Sequence, residues 1–527
     1  MPPSNNSEAL FLGIDSSTQS SKVVCIDVQA QKVIYVDTVN YDNDLPRYGT
    51  KNGVIQSDQV NLSEADPNMW IDALHLLFSR MLKKGFPMAK VRAISVSGQQ
   101  HGLVTLDPAG NLTRPRSKLW NDYSTAEECQ ILTERLGGQD KMIQEIGNSQ
   151  RPGYTAGKIF HMYRHEPELA SKSSTFFLVH NYINWFLTGA KNGGVRIMEP
   201  GDTSGMALRH PGANTWSQKV CQIISPDLIS KLPAVKPADE MIGKISTELV
   251  EKYGFSQDCW IDAGSGDNMY GAVGTGNIKP GIVTISLGTS GTAYTIFDKP
   301  YVDPQGEIAS FADSTGRFMP LLCVSNMANG YNQLLEMYKL THQKFDQILK
   351  ETPPGNKGRI LFPWYMGERT PDLPHAAPVY WGFALNEFGM SVLCRAVLEG
   401  HILNLYDGYR KMPVQAQEIR LTGGLSQSDA WAQTIADIFA SETVAIAGEG
   451  AALGAAIHAA WVYEKNRQPE YSLEFLTDIF VKGDESRRKY PRNVEQYDKI
   501  KNAYHEISLR IRTQINDIDP FKVLINV

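Results

Sequence analysis

An aspartate followed by an asparagine, Asp267-Asn268, stands in a glycine-rich stretch, residues 264–274, near the middle of the 527-residue chain. The apolar residues 259–263 that precede it are typical of a strand. Gly264 and Gly266 permit a tight turn, and the small and apolar residues that follow favour a helix that begins at or near Asp267. Backbone N–H groups and the helix dipole stabilise a carboxylate at that position. Asp267 is therefore a candidate catalytic base, although the local pattern alone also fits a residue that only caps a helix.

Two strand–turn–strand patterns, one in each half of the chain, have tips made of small hydroxylated residues. The first spans residues 10–28 with its tip at 16–21, and the second spans residues 281–297 with its tip at 288–291. Backbone N–H groups at such tips can bind an anion, and Asp15 at the end of the first strand can hold Mg²⁺ beside bound phosphates. Each pattern alone fits an ordinary hairpin, but the pair is what a duplicated fold that clamps a phosphate chain requires.

Polar side chains that suit a polyol follow two further apolar runs. Gln100 and His101 come directly after one run, and Trp120 and Asn121 come after the other. Amide and imidazole groups at the ends of strands can hydrogen-bond to sugar hydroxyl groups. A lone histidine is more often structural, so this assignment depends on the rest of the chain.

Two glycine-containing segments imitate nucleotide-binding motifs without meeting their requirements. Residues 153–158 have three residues between the glycines where a P-loop has four, and Ile159 stands where that motif has Ser or Thr. Residues 448–454 lack the βαβ unit and the ribose-binding acid of a dinucleotide site, so we interpret them as close helix packing. Gly423-Gly424 follows a predicted strand and could instead let a flat ring approach the backbone.

The bulk composition limits the class of protein. A chain of this length is expected to form two large domains, and its net charge of −6 argues against nucleic acid or an anionic membrane as the main partner. Six scattered cysteines without a Cys-x-x-Cys pair indicate reduced thiols. No apolar run is long enough to span a bilayer, and residues 1–8 lack the features of a signal peptide. These observations predict a cytoplasmic chain.

In their order along the chain, these motifs resemble those of the FGGY carbohydrate kinases, and within that family the xylulose kinases, over roughly residues 10–461. The motifs are residues 13–19, 98–102, 120–122, 264–274, 286–291, 367–371 and 395–400, and Gly423-Gly424 with Ser428. Each motif alone is weak, whereas eight in the family's order are specific. Gly157, His161 and residues 199–201 depart from the pattern of bacterial xylulose kinases near the sugar-facing region, which leaves the exact sugar open.

The resemblance implies an α/β fold of two actin-like ATPase (ribonuclease H-like) domains, residues 1–275 and 276–527, with a catalytic cleft between them. It implies ATP-dependent phosphorylation of a ketopentose, D-xylulose to D-xylulose 5-phosphate, with Mg²⁺ as cofactor and Asp267 as general base. The site residues that it implies are Gln100, His101, Trp120, Asn121, Asp267 and Asn268 for the sugar, Thr18, Gln19, Lys22, Gly288, Thr289, Ser290, Gly423, Gly424 and Ser428 for ATP, and Asp15 for Mg²⁺.

Two alternatives stay open at this point. Another pentulose or pentitol, such as ribulose, ribitol or arabinitol, could be the acceptor. From a different class, the chain could be a non-metabolic actin-like ATPase whose nucleotide state controls partner binding, but residues 99–102, residues 120–122 and Asp267 count against that interpretation. The sequence also leaves open whether Arg151 contacts the sugar and whether the chain forms a homodimer.

Overall fold

The computed structural model describes residues 9–448 and 450–513, so the segment 1–8 used in the prediction of location lies outside it. Within these residues the chain forms two seven-stranded sheets, five two-stranded sheets and 19 α-helices.

The strands are β1 (Leu10–Ser16), β2 (Ser20–Asp27), β3 (Lys32–Asn40), β4 (Thr50–Lys51), β5 (Val54–Ile55), β6 (Glu64–Ala65), β7 (Val91–Gly98), β8 (Val104–Leu106), β9 (Ser117–Lys118), β10 (Thr175–Phe177), β11 (Ile197–Met198), β12 (Ala234–Val235), β13 (Met241–Lys244), β14 (Trp260–Asp262), β15 (Ser265–Gly266), β16 (Ile282–Leu287), β17 (Gly291–Thr295), β18 (Ala309–Ala312), β19 (Phe318–Val324), β20 (Ile360–Phe362), β21 (Val379–Trp381), β22 (Glu418–Thr422), β23 (Glu442–Ala447) and β24 (Lys482–Gly483).

The helices are α1 (Tyr41–Asp44), α2 (Pro67–Lys83), α3 (Ala126–Leu136), α4 (Gln139–Ile146), α5 (Thr155–His165), α6 (Pro167–Lys172), α7 (Val179–Leu187), α8 (Pro200–Ser204), α9 (Gln218–Ile224), α10 (Leu228–Lys231), α11 (Thr247–Tyr253), α12 (Asp267–Gly274), α13 (Ala328–Met337), α14 (His342–Ile348), α15 (Met390–Tyr409), α16 (Asp429–Phe439), α17 (Gly450–Lys465), α18 (Leu473–Phe480) and α19 (Val494–Thr513).

The two large sheets repeat one topology. In the first sheet β3, β2, β1, β7 and β14 lie side by side, with antiparallel pairing on one side of β1 and parallel pairing on the other. In the second sheet β19, β17, β16, β22 and β23 repeat the same order and the same directions. The duplication predicted from the two hairpins is confirmed.

The central strands of both sheets are mainly apolar and almost fully buried, which is typical of strands in parallel pairing that are covered on both faces. In β1 every residue except Asp15 is buried, and in β16 every residue except Ser286 is buried. The strands reach farther into the hairpins than predicted, so the two tips shorten to residues 17–19 and 288–290. Both tips lie at the end of the sheet where the parallel strands finish.

Helix α17 belongs to the second half of the chain but packs against α12, β1 and β7 of the first half. Glycines permit this approach: a Cβ atom on Gly454 would lie 1.9 Å from the Tyr270 carbonyl oxygen, and one on Gly13 would lie 2.1 Å from the Ala452 carbonyl oxygen. The prediction that this glycine-rich segment serves helix packing is therefore confirmed. Separate apolar cores lie in each half, and a third is shared by β1, α12 and α17.

Within residues 9–448 and 450–513, no helix combines the length and the apolar character needed to cross a bilayer.

Candidate active site

Asp267 is the first residue of α12, and Gly266 is the N-cap. The short strand β15 pairs with the end of β7, which places Asp267 beside Gln100 and His101 in the segment that follows β7. The Asp267 carboxylate does not cap the helix; its Oδ1 accepts hydrogen bonds from the backbone N–H of Asn268 at 2.9 Å and from Asn268 Nδ2 at 3.2 Å. Because capping does not occupy the side chain, the carboxylate is available to a ligand.

The charges of two other acidic side chains act on Asp267 in this region. Burial, followed by the charges of Asp15 and Asp202, raises the pKa of Asp267 to about 8 against the opposing backbone hydrogen bonds. Burial also raises the pKa of Asp15 to about 6, although the Ser97 hydroxyl donates to Asp15 Oδ1 at 2.7 Å and the Lys22 charge opposes the shift. A carboxylate with a pKa near neutrality is a stronger base than an ordinary aspartate, and such a shift is typical of functional sites.

Gln100 connects Asp267 to a buried network behind it. Its Oε1 accepts a hydrogen bond from Asn268 Nδ2 at 2.8 Å, and its Nε2 donates to Asp202 Oδ1 at 3.4 Å. Asp202 Oδ2 lies 2.9 Å from His180 Nδ1, and both of these side chains are fully buried. The network fixes the side chains of Gln100 and Asn268 against the cleft.

His101 lies at the other end of the same wall and adopts a left-handed backbone conformation with φ of 66°. Its carbonyl oxygen accepts a hydrogen bond from Lys158 Nζ at 2.7 Å. Burial, followed by the charges of Lys158 and Arg369, lowers the pKa of His101 well below its usual value, so its ring is neutral and can exchange hydrogen bonds with hydroxyl groups. The ring packs against Tyr154 at 4.8 Å and Phe311 at 6.2 Å between centroids.

These side chains line a cleft of about 220 Å³ between the two halves of the chain. Its lining residues are Gln100, His101, Trp120, Arg151, Gly153, Tyr154, Asp267, Asn268, Ser290, Thr292, Glu307, Ala309, Phe311, Leu321, Cys323 and Arg369. The predicted sugar residues are therefore brought together, with one exception. Asn121 does not line the cleft, and its Oδ1 accepts a hydrogen bond from the Ser63 hydroxyl at 2.6 Å.

The first hairpin tip lies beside the cleft. The Thr18 hydroxyl donates to Gln99 Oε1 at 3.3 Å and accepts from Trp120 Nε1 at 2.9 Å, which ties the tip to the cleft wall. Gln19 is exposed, and Lys22 pairs with Asp15 in the strand register. The tip therefore presents its backbone next to the carboxylate predicted to hold Mg²⁺.

The second hairpin tip lies against the start of α13. The carbonyl groups of Gly288 and Thr289 accept hydrogen bonds from the backbone N–H groups of Ala328 at 3.0 Å and Met327 at 3.1 Å. Thr289 and Ser290 are exposed, and Ser290 lines the cleft. Hydrogen bonds to neighbouring segments thus hold both predicted phosphate hairpins, and small hydroxyl groups lie at their tips.

The predicted adenosine turn follows β22 and lies beside β16. Gly423 has a φ of 85°, and a Cβ atom there would lie 2.7 Å from the Leu287 carbonyl oxygen. Gly424 has open space around its Cα atom. Ser428 is the N-cap of α16, where its hydroxyl accepts the backbone N–H of Trp431 at 3.4 Å. The turn ends one residue before a helix and leaves room for a planar ligand at Gly424.

The donor set around Asp15 fits Mg²⁺. In the part of the chain that the structure describes, no group of three or more His, Cys, Asp or Glu side chains could hold a metal by itself. Proteins usually hold Mg²⁺ through one or two carboxylates, with water and substrate phosphates as the other ligands. Asp15 supplies such a carboxylate beside the hairpin tip.

The two halves touch each other at the inner end of the cleft. The side chain of Asn148 accepts the backbone N–H of Ser310 at 2.8 Å and donates to its carbonyl oxygen at 3.1 Å. Arg151 Nη2 donates to the Gly306 carbonyl oxygen at 2.7 Å, and the Ser204 hydroxyl accepts the backbone N–H of Ala312 at 2.9 Å. These hydrogen bonds join the two halves of the chain beside the cleft.

Sequence reasoning missed Tyr154, Phe311 and Arg369 as parts of the cleft. Tyr154 and Arg369 lie inside motifs that the sequence analysis noted, residues 153–158 and 367–371, without a role for either side chain. Phe311 carried no signal, because an apolar residue in a strand usually belongs to the core. Its contact with His101 arises only when β18 meets the opposite half of the chain.

Two duplicated sheets with a hairpin-bounded cleft between them, an accessible carboxylate at a helix start and amide groups that suit hydroxyl ligands define a sugar kinase of the actin-like ATPase fold. The sequence comparison agrees. Residues 10–274 match the N-terminal domain, and residues 283–463 the C-terminal domain, of the FGGY family of carbohydrate kinases. The chain belongs to this family, whose sugar kinases use ATP as phosphoryl donor.

The similar proteins include xylulose kinases. The chain is 35% identical over 508 residues to the xylulose kinase of Haemophilus influenzae, with 94% of this chain and 98% of that protein covered. The crystal structure of the ligand-bound xylulose kinase from Lactobacillus acidophilus has a TM-score of 0.84 at 24% identity and covers 96% of this chain and 99% of that chain. The gluconate kinase structure from the same organism has a TM-score of 0.83 at 23% identity, with 96% and 99% covered. The fold is therefore shared by kinases with different acceptors and does not determine the sugar.

Proposed function

We propose that this chain phosphorylates D-xylulose to D-xylulose 5-phosphate with ATP. The observation that carries the proposal is the position of Asp267, whose carboxylate does not cap a helix and lines the cleft. Gln100, His101 and Asn268 line the same cleft and can form hydrogen bonds with hydroxyl groups. The 35% identity to a full-length xylulose kinase supports D-xylulose as the acceptor. Another pentulose or pentitol, such as ribulose, ribitol or arabinitol, is the second candidate.

In the proposed reaction Asp267 accepts the proton of the sugar hydroxyl that attacks the γ-phosphate of ATP. The hydroxyl oxygen forms a bond to the γ-phosphorus atom, the bond from that atom to the bridging oxygen breaks, and ADP leaves. The transition state of phosphoryl transfer is loose, so positioning and charge neutralisation supply much of the rate enhancement. A general base typically adds about 10²- to 10⁴-fold.

The remaining site residues complete the proposal. Residues 18–19, Lys22 and residues 288–290 bind the phosphates, the turn at 423–424 with Ser428 binds adenosine, and Asp15 holds Mg²⁺. When bound, Mg²⁺ neutralises the charge of the phosphates during transfer.

We assign the two domains to residues 1–275 and 276–527. We also propose that the protein is cytoplasmic. We further propose that the chain can form a homodimer, which sedimentation velocity of the purified chain tests.

Trp120 and Asn121 contribute differently. Trp120 lines the cleft and donates to Thr18, so we propose that it links the sugar side to the first phosphate hairpin. Asn121 supports the wall through Ser63. The contacts of Asn148, Arg151 and Ser204 with the other half exclude water, which would otherwise compete with the sugar as acceptor.

The test is a coupled ATP-consumption assay with Mg²⁺, a panel of pentuloses and pentitols, and a blank without sugar. We expect strong turnover with D-xylulose. Turnover with a different acceptor would overturn the substrate assignment and keep the kinase. A rate of ATP hydrolysis that no sugar in the panel changes would overturn the kinase assignment and favour the actin-like ATPase that acts on a partner.

A further inference from the structure

Arg369 is a cation in the cleft with almost no protein partner. It lies in the motif of residues 367–371, to which the proposed function assigns no role, and it lines the cleft. The one hydrogen bond that its side chain makes with the described residues runs from Nη1 to Cys323 Sγ at 3.5 Å. A thiol sulfur is a weak acceptor, whereas a guanidinium carries five N–H donors. Most of the donors of Arg369 are therefore left for a ligand.

Other arginines with low exposure are satisfied by the protein. Arg114 pairs with Glu64 and Glu166, and Arg395 Nη2 donates to the carbonyl groups of Leu349 at 2.7 Å and Thr352 at 2.9 Å. Arg151, which lines the same cleft, donates to the Gly306 carbonyl and to Ser149 Oγ. Since an unpaired cation in a confined site loses hydration without compensation, the difference at Arg369 points to a ligand that supplies oxygen atoms.

The backbone that carries Arg369 is held rigidly. Glu368 Oε1 accepts the backbone N–H groups of Ser325 at 2.5 Å and Arg369 at 2.7 Å. Glu368 Oε2 accepts Asn326 Nδ2 at 3.1 Å and Asn404 Nδ2 at 3.0 Å. The buried carboxylate of Glu368 thus binds backbone and amide groups of the loop and makes no hydrogen bond with the guanidinium, which is the support expected of a preorganised binding group.

The surrounding groups place Arg369 at one end of the cleft. Its charge is one of those that lower the pKa of His101, and Cys323, followed by Tyr154 and Tyr123, raises the pKa of Arg369 itself against the effect of burial. The charges that act on Asp267 are instead those of Asp15 and Asp202. Hydrogen bonds tie Asp267 to Asn268, and Asn268 to Gln100, whereas Arg369 bonds to Cys323. We therefore place Arg369 on the His101 and Tyr154 side of the cleft, away from the proton acceptor.

We propose that Arg369 is a sugar-binding residue that donates hydrogen bonds to the oxygen atoms of the acceptor farthest from the reacting hydroxyl group. This inference rests on the proposed function. In a ketopentose phosphorylated at its C5 hydroxyl, these atoms are the keto oxygen at C2 and the hydroxyl oxygen at C1. Two neighbouring oxygen atoms suit the planar fork of a guanidinium better than the single point charge of a lysine.

The assignment also explains how the acceptor joins the two halves. Gln100, His101 and Asn268 contact the sugar from the first half of the chain, whereas Arg369 contacts it from the second. A full-length ketose therefore bridges the cleft, and an acceptor without the distal oxygen atoms does not. Arg369 therefore makes the enzyme prefer acceptors that are long enough to reach it and that carry oxygen atoms at C1 and C2.

The test compares D-xylulose with 1-deoxy-D-xylulose, which keeps the reacting end and lacks the C1 hydroxyl. In Arg369→Met we expect kcat/KM for D-xylulose to fall by roughly 10- to 100-fold, the loss typical of a charge-assisted hydrogen bond in a confined site. The loss with 1-deoxy-D-xylulose should be several-fold smaller, because one of the two hydrogen bonds is already absent. ATP hydrolysis without sugar should not change, and Arg369→Lys should recover part of the loss.

The control is Arg420→Met, in the same half of the chain. The Arg420 guanidinium binds Glu418 at 2.7 Å and the Thr275 carbonyl at 2.7 Å, so this change should leave the ratio of the two acceptors unchanged. Equal losses with both acceptors in Arg369→Met, with or without a lower melting temperature, would overturn the inference. So would a fall in sugar-independent ATP hydrolysis, because it would assign Arg369 to the phosphates.

The outcome is distinguishable from a failure of the proposed function. If wild type does not use D-xylulose but uses another ketose or polyol, the acceptor assignment fails. The same comparison is then made with that acceptor and its terminal deoxy analogue, and the ratio of losses decides the role of Arg369 independently.

Discussion

Replacement of Asp267 by asparagine removes the proposed base while keeping the size of the side chain. The Oδ1 atom that accepts the Asn268 backbone N–H at 2.9 Å can be kept by the amide, so the start of α12 should not change. We expect the turnover of D-xylulose to fall by about 10²- to 10⁴-fold, the usual contribution of a general base. ATP binding should survive, because the hairpin tips do not contact this side chain through any hydrogen bond that the structure shows.

The same substitution should stabilise the protein, and the sign follows from the pKa of Asp267. Below about pH 4 the carboxyl group is protonated in both the folded and the unfolded chain, so it has no effect on stability. Between about pH 4 and the folded pKa of about 8, the unfolded carboxyl group is ionised and the folded one is not, which disfavours folding increasingly as pH rises. At about 1.4 kcal/mol per pKa unit, the rise from 3.8 to about 8 makes the advantage of Asp267→Asn grow across this window toward an upper limit of about 6 kcal/mol.

Two measurements check this prediction. The coupled ATP-consumption assay with D-xylulose gives the loss of turnover, and calorimetric melting at pH 5 and pH 8 gives the change in stability. Glu399→Gln is a matched control, since Glu399 is also a buried acid whose pKa burial raises to about 7, but it binds Tyr497 in the other half and should keep turnover near the wild-type level. Asp267→Asn with more than a tenth of wild-type turnover would refute the assignment of the base, and a stability advantage independent of pH would refute its electrostatic basis.

Three further predictions concern the same site. Wild-type kcat/KM should rise with pH up to about 8, because burial and the charges of Asp15 and Asp202 hold the pKa of Asp267 high; a pH series of the assay measures this, and an acidic limb centred near pH 4 would contradict it. Gln100→Ala removes the acceptor of Asn268 Nδ2 and should raise KM for the sugar by roughly 10- to 100-fold with little change in KM for ATP, as initial rates will show. Gly423→Ala forces a methyl group toward the Leu287 carbonyl at a positive φ and should cost about 1–3 kcal/mol of stability and weaken ATP binding, measured by melting and calorimetric titration; Gly424→Ala, with open space, is the control for folding and should leave the melting temperature unchanged.

The sequence predicted the elements that depend on local chemistry. The two hairpins, the start of α12 at Asp267 and the glycine turn at 423–424 all occur where apolar runs and turn residues placed them, because strand, turn and helix-start preferences act over a few residues. The ends of the hairpins were less accurate. Strand pairing between β1 and β2 continues to Ser16 and Ser21, since backbone hydrogen bonds extend a ladder beyond the apolar residues that predict it.

The sequence predicted only some of the residues that line the cleft. Gln100, His101 and Asn268 were expected beside Asp267, and they line the cleft. Asn121 was expected there too, but Ser63 takes its side chain into the wall. Which way a polar side chain turns depends on partners that are distant in the chain, so the spacing of residues cannot predict it.

By itself the sequence determined the duplicated α/β architecture, the carboxylate at the start of α12 and the two hairpins with hydroxylated tips, because each depends on a short local pattern. Only the tertiary structure decided the electrostatics and the far end of the cleft. The high pKa of Asp267 requires burial and the nearby charges of Asp15 and Asp202. These three residues come from three separate segments of the chain. The guanidinium of Arg369, which hydrogen-bonds only weakly to Cys323, lowers the pKa of His101 only because the second half of the chain folds against the first. Burial and charge in a folded protein depend on contacts between distant residues, and those contacts exist only when the two halves meet.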